Sequence, residues 1–417
     1  MKKESRLKSG LRALGPGLMY AGAAVGVSHL VQSTRAGAEY GYSLIWVIIV
    51  INFLKYPFFE YGPRYAAATG KNLVEGYHRL SKTALYIFTA ITVGTMFTVL
   101  AAIVMVTVGL IAHVTDIPII ANHKTTVLLG ATLVFLMFST YKTIEKPVKW
   151  VIIILSVATV IAAVAGMTST SFSTPSFTSF DFRNQTDIFF LVALIGWMPA
   201  PIDIAVWHSV WGQEKNKNTN KRNASKNASF DFTIGYWGTT FLALCFLVLG
   251  ASVLSGENEL PDDAVGFTQT LITLYTQTLG PAAFPVIAIA ALAAMLSTTL
   301  TVADGFTRVM VPATQNMIPK LKTKPKKLYI LWLFALCAGA WLILNNFKYG
   351  MRALIDFITT VSFVTAPVLA LFNFLVMQSR DVPHHARPGR IMRIFSVFGI
   401  VFLTLFALYF LYLRFLA

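Results

Sequence analysis

Two short stretches gather polar and metal-ligating residue types inside otherwise apolar sequence. The first is Gly26-Val27-Ser28-His29, within GPGLMYAGAAVGVSHLVQSTRAGAEYGY (15–42). The second is Trp197-Met198-Pro199-Ala200-Pro201, with Asp203 close behind. His29 supplies an imidazole, a ligand for transition metals that also carries protons; its competing reading is a cross-helix hydrogen bond. Met198 supplies a thioether, a soft ligand that selects transition metals over Ca²⁺ and Mg²⁺, and only its position separates it from a packing methionine. Asp203 supplies a carboxylate, to bind a cation, to carry a proton, or merely to complement a helix N-terminus. Carbonyls near Val25, Gly26 and Ala200, and the Ser28 hydroxyl, complete this candidate set. His208 reads as a proton exit or an ordinary interfacial histidine.

Three further patterns carry charge or hydroxyls. Ser297, Thr301, Asp304 and Arg308 are spaced by 4, 3 and 4, so they share one helical face, and Asp304 and Arg308 pair at i, i+4. Lys55 stands among Phe53, Leu54 and Phe58, with Glu60 and Arg64 following. A lysine embedded in a membrane is costly, so it is expected to face the protein interior, paired with an acid. Thr89, Thr92, Thr95 and Thr98 recur every three residues without a carboxylate, which fits threonines bonded to their own helix.

These residues need elements to position them, and composition identifies the elements. The chain has 417 residues, 56% hydrophobic and 12% charged, with a mean hydropathy of +0.65. A soluble domain carries about a quarter charged residues, so an integral membrane protein is expected. Eleven spans are predicted, at 13–37, 42–69, 83–113, 125–141, 147–167, 186–211, 230–255, 280–312, 327–345, 351–378 and 391–414, each with roughly the 17–25 apolar residues a bilayer requires. Of 34 Lys and Arg, 27 fall on the side that holds the N-terminus. That places the N-terminus in the cytoplasm and the C-terminus outside. It also accounts for the net charge of +16 without nucleic acid. The basic N-terminal tail resembles a signal n-region but is not expected to be cleaved. Cys245 and Cys337 lie in apolar spans and imply neither a disulfide nor a metal cluster.

Glycine weakens a helix and proline breaks it, so spans 1 and 6 are expected to be interrupted at the two polar stretches, with Ser28 capping the second half of span 1. Two interrupted spans in corresponding positions point to the binding site of a secondary transporter built from inverted repeats. Here the repeats are 13–167 and 186–378, five spans each, with 391–414 appended, and 1–417 forms one transport domain. The 168–185 and 256–266 segments read as outer loops, the latter an acidic rim of Glu257, Glu259, Asp262 and Asp263; 214–228 reads as a flexible inner loop. No P-loop, His-Glu-x-x-His or Gly-x-Ser-x-Gly is present, so neither ATP drive from this chain nor enzymatic activity is expected.

The segments GPGLMYAGAAVG, TRAGAEYGY and NFLKYPFFEYGPRYAAATGKNLVEGY (52–77) resemble the Nramp divalent-metal transporters, with Arg64 and Ala68-Thr69-Gly70-Lys71 matching the family's pattern of an Arg followed by Ala-Thr-Gly-Lys. ALIGWMPAPIDIAVWHS resembles the family's sixth span and LSTTLTVADGFTRVM its eighth. The resemblance implies an all-helical, leucine-transporter-like fold. It also implies that hydroxyls of span 8, opposite the first break, hold a coupling ion. Where the family reads Asp-Pro-Gly-Asn, this chain has Gly26-Val27-Ser28-His29. In span 6, alignment on Met198-Pro199 keeps the methionine and puts Ala200 at the family's histidine. Alignment on His208-Ser209 puts Pro201 and Asp203 at those two positions.

The expected function is proton-coupled transport of a divalent cation, Mn, Fe or Mg. Its alternative is sodium- or proton-coupled transport of a small organic solute. The ion site is assigned to Gly26, Ser28, His29, Met198, Ala200 and Asp203, and the coupling path to His208, Ser297, Thr301, Asp304 and Lys55. No permanently bound cofactor is expected. The partners are the transported ion and the lipid bilayer, a monomer suffices, and the setting is a bacterial inner membrane.

Overall fold

A computed structural model describes residues 15–114, 123–168, 177–216, 221–254, 261–347 and 349–416. The described residues are helical, without a strand. In chain order the helices are α1 (Pro16–Ala24), α2 (Thr34–Tyr40), α3 (Ile45–Thr69), α4 (Leu73–Leu80), α5 (Lys82–Val114), α6 (Lys124–Phe138), α7 (Tyr141–Thr168), α8 (Gln185–Gly196), α9 (Asp203–Asn216), α10 (Lys221–Val253), α11 (Ala264–Leu279), α12 (Phe284–Met317), α13 (Pro325–Asn346), α14 (Met351–Gln378) and α15 (Arg390–Phe415). Eight of the described helical stretches are long and apolar enough to cross a membrane; α6 and α8 are shorter apolar helices. Large apolar side chains stay exposed on α7 and α15, among them Trp150, Val164, Ile391, Ile394 and Leu405. That is the surface lipid covers in a multi-pass membrane protein.

Both expected interruptions occur. α1 ends at Ala24, and a π-helical turn, Ser28–Ser33, leads into α2. α8 ends at Gly196, and α9 starts at Asp203. The cause in the second break is proline: Pro199 and Pro201 have no N–H to give to a preceding carbonyl, and the Met198–Pro199 peptide is cis.

Close backbone packing holds the interrupted spans. A Cβ on Gly17 would sit 2.2 Å from the Asp231 carbonyl of α10, and one on Gly235 of α10 would sit 2.3 Å from the Gly17 carbonyl. The second half of the span repeats the arrangement: a Cβ on Gly37 would meet the Leu247 carbonyl, and one on Gly250 that of Thr34. α1 and α2 therefore both lie on α10 along two glycine seams. The sixth span packs in the same manner: a Cβ on Gly196 would meet the Thr359 carbonyl of α14, and one on Gly62 of α3 the Ala205 carbonyl of α9.

Two helices were not expected. α4 begins with a capping box formed by Asn72 and Glu75, and α11 is capped by Asp263. Asp263 and Asp262 thus have structural partners, the latter accepting the Met351 N–H through its carbonyl; Glu257 and Glu259 lie outside the described residues. The segment read as a flexible inner loop is helical to 216 and again from 221. Residues 217–220 lie outside the described residues.

Candidate functional site

The two breaks meet in the middle of the bundle. A cavity of about 20 Å³ lies between them, lined chiefly by apolar side chains, with Ser28 of the first break, Trp197 and Pro201 of the second, and Thr298 of α12. A volume of that size admits one water-sized body. The Ser28 hydroxyl lies 3.4 Å from the Pro199 carbonyl, a direct link from one break to the other.

Ser28 does not cap the second half of its span. Its hydroxyl lies 2.6 Å from the Ala24 carbonyl and 2.8 Å from His29 Nδ1, and its single proton goes to one of the two. His29 Nε2 is 2.9 Å from the Thr239 carbonyl of α10, and since a carbonyl only accepts, Nε2 carries a proton. Both imidazole nitrogens lie within hydrogen-bond distance of protein atoms, and His29 is fully buried. Gly26 lies against Thr298, whose Cγ2 would stand 2.7 Å from a Cβ there.

Met198 and Ala200 are fully buried in the second break, and Asp203 opens α9, 4% exposed. Of the six residues assigned to the ion site, Ser28 lines the central cavity and the other five do not. Among the described residues no group of three or more His, Cys, Asp or Glu side chains is placed to hold a metal ion.

Lys55 faces the interior, as expected, but backbone holds it. Its Nζ donates to the Ile195 carbonyl at 2.6 Å and to that of Gly196 at 3.0 Å, the last two residues of α8. Asp203 is its electrostatic partner across the break. Glu60 pairs instead with Arg64 at 2.7 Å.

On α12 the shared face is real, yet its residues divide. Asp304 is bonded to Arg308 (2.6 Å), to Trp211 Nε1 of α9 (3.0 Å) and to the Tyr329 hydroxyl of α13 (2.8 Å). It ties three helices together. Thr301 bonds carbonyls of its own helix. The hydroxyl aimed at the first interrupted span is that of Thr298, which donates to the Gly22 carbonyl at 2.9 Å. The Ser297 hydroxyl is buried without a hydrogen-bond partner, 3.5 Å from where a Cβ on Gly22 would stand. His208 is buried against Tyr20 and Phe232, its Nδ1 unpartnered. The span-3 threonines all bond their own helix, as expected.

Toward the other end of the first span a charged cluster was missed in sequence. Arg35 of α2 donates through Nη1 to both carboxylate oxygens of Asp356 on α14 (2.9 and 3.0 Å) and through Nε to Glu39 (2.8 Å). Arg352 reaches Glu39 (3.1 Å), Gln32 reaches Asp356 (3.0 Å), and the guanidinium of Arg35 lies 4.6 Å from the centre of the Phe190 ring. Arg35 at i, i+4 from Glu39 was the available signal.

Two interrupted helices, their polar breaks buried face to face in an apolar helical bundle, define the leucine-transporter-like architecture, which solved structures share. Sequence places it more narrowly. A family model described as natural resistance-associated macrophage protein-like matches residues 17–413, and the chain belongs to this Nramp family. It is 32% identical over 375 residues to an uncharacterized protein of Pasteurella multocida, covering 89% of this chain and 86% of that one. It is 26% identical over 342 residues to the divalent metal cation transporter MntH of Staphylococcus aureus, covering 77% and 74%. A crystal structure of the manganese transporter of Eremococcus coleocola matches in fold with a TM-score of 0.75, at 14% identity, over 98% of this chain and 88% of that one.

Proposed function

We propose that this chain transports a divalent metal cation, Mn, Fe or Mg, by secondary active transport coupled to protons. The observation that carries this reading is the cavity between the breaks. At about 20 Å³ it accommodates one ion or water, whereas an organic solute needs several times that space. Membership in a family that includes divalent metal cation transporters supports it. Ser28 is the assigned donor that lines the cavity; Asp203, Met198 and the carbonyls of the second break, buried beside it but outside its lining, are proposed as the ion's further donors. His29 is proposed to position Ser28, since both its nitrogens lie within hydrogen-bond distance of protein atoms. Sparse protein donors suit a cation that keeps part of its water shell.

We also propose eleven crossings, with an inner N-terminus and an outer C-terminus in a bacterial inner membrane. The first interrupted span packs on the seventh and the sixth on the second, a reciprocity that supports inverted repeats at 13–167 and 186–378. A monomer is proposed to suffice, without enzymatic activity. Reconstitution into liposomes tests the function: Mn²⁺, Fe²⁺ or Mg²⁺ is expected to enter under an inward proton gradient. Absence of flux for every divalent metal refutes the reading. The organic-solute alternative predicts that amino acids or nucleobases, rather than metals, raise the melting temperature.

A further inference from the structure

Lys55 caps a helix end inside the bundle. α8 ends in the middle of the bundle, where the last carbonyls of a helix carry partial negative charge; that of Ile195 takes the Met198 N–H at 3.3 Å and has room for a second donor. In water such an end is solvated. Here Ile195 is 3% exposed, Gly196 is buried, and Gly196 is pressed against the Thr359 carbonyl on its other side. Into this end α3 sends an ammonium, wholly buried, bonded to the Ile195 and Gly196 carbonyls. The charge of the Asp203 carboxylate acts on it across the break. Two carbonyls and a nearby carboxylate are the donor chemistry of a cation site built from oxygen.

We infer that the Ile195 and Gly196 carbonyls form a monovalent-cation site whose permanent occupant is the tethered ammonium of Lys55. The lysine fixes the geometry of the second break, and the fixed charge makes a dissociable Na⁺ or K⁺ unnecessary at that position. This goes beyond the proposed metal transport and does not depend on it, because the site is read through stability rather than flux.

The test is a cation titration of Lys55→Ala in detergent, with propylammonium as a stand-in for the missing side chain and Na⁺ and K⁺ beside it. N-methylglucamine, too bulky to enter, is the reference salt. The variant is expected to melt below wild type in N-methylglucamine and to regain about 3 °C or more in 100 mM propylammonium, as a ligand bound only by the folded state would give. Wild type is expected to melt at the same temperature in all four salts. A variant as stable as wild type in N-methylglucamine, or one that no cation restores, overturns the inference. So does a wild type that responds to the same cations. If Lys55→Ala does not fold in any salt, Lys55→Met is compared with Lys55→Arg by their folded yield from membranes. Folding of the arginine variant alone upholds the need for charge, and equal behaviour of the two refutes it. Loss of metal flux in wild-type liposomes would leave these melting temperatures untouched, so failure of the proposed function and failure of this site are separate results.

Discussion

Replacing Asp356 by Asn is expected to loosen the second half of the first span. The isosteric amide keeps one acceptor for Arg35 but turns the other oxygen into a donor that faces Nη1, so one of two charge-assisted bonds is lost along with the charge. A hydrogen bond to a charged group contributes about 1.5–3 kcal/mol when buried. The Asp356 side chain is 34% exposed, so water compensates part of that, and Arg35 keeps Glu39. The remaining cost is about 1–2 kcal/mol, a shift of roughly 5–30-fold in how often α2 separates from α14. Val31 lines the crevice beneath Arg35, so a cysteine placed there reports the separation. With Cys245 and Cys337, both buried, replaced by alanine, a membrane-impermeant maleimide added outside is expected to label Val31→Cys 5–30-fold faster when Asp356→Asn is present. An unchanged labelling rate in a folded protein would refute the idea that this cluster holds α2 against α14. Labelling from the cytoplasmic side alone would refute the proposed orientation.

Asp203→Asn keeps the shape of the second break and removes its carboxylate; metal uptake is expected to be abolished or strongly reduced, with folding retained, and near-normal uptake would remove Asp203 from the ion site. Asp304→Asn weakens a fully buried charge that three donors share; a loss of up to about 3–5 kcal/mol is expected, read as a lowered midpoint of thermal unfolding. Gly37→Val drives a side chain into the Leu247 carbonyl and is expected to cost about 2–3 kcal/mol, measured the same way; a neutral effect would show that the seam is not tight. Ser297→Ala removes a buried hydroxyl that has no partner, so stability is expected to hold or rise, and a loss above about 1 kcal/mol would show that the hydroxyl is engaged.

The breaks were legible because their cause is local: Gly26 and the prolines at 199 and 201 act on their own backbone. The Asp304–Arg308 pair was legible for the same reason, as a spacing on one helix. Partners far apart in sequence were not. Nothing near Lys55 indicates that its ammonium meets carbonyls 140 and 141 residues away, and Glu60, the acid near it in sequence, is held by Arg64. The face of α12 was read correctly as a stripe but aimed one position off. Thr298, adjacent to Ser297, lies about 100° round the helix, and only the packing against α1 decides which hydroxyl reaches Gly22. α4 had a visible signal in Asn72-Leu73-Val74-Glu75, obscured by the charged loop that surrounds it.

The two glycine seams make α10 a ruler for the first span. From Gly17 to Gly37 is 20 residues, about 30 Å of continuous helix, whereas their contacts on α10, Asp231 and Leu247, are 16 residues apart, about 24 Å. Measured instead from Gly235 and Gly250 to Gly17 and Thr34, the surplus is two residues, about 3 Å. The first span is thus longer than the interval it is pinned to, and the slack of about half a turn to one turn falls to the interruption, from Val25 through the π-helical turn Ser28–Ser33. The interruption stores contour length as well as exposing backbone. Straightening the span into one helix would force one seam to slip along α10 by that amount, so any such movement must travel through the glycines.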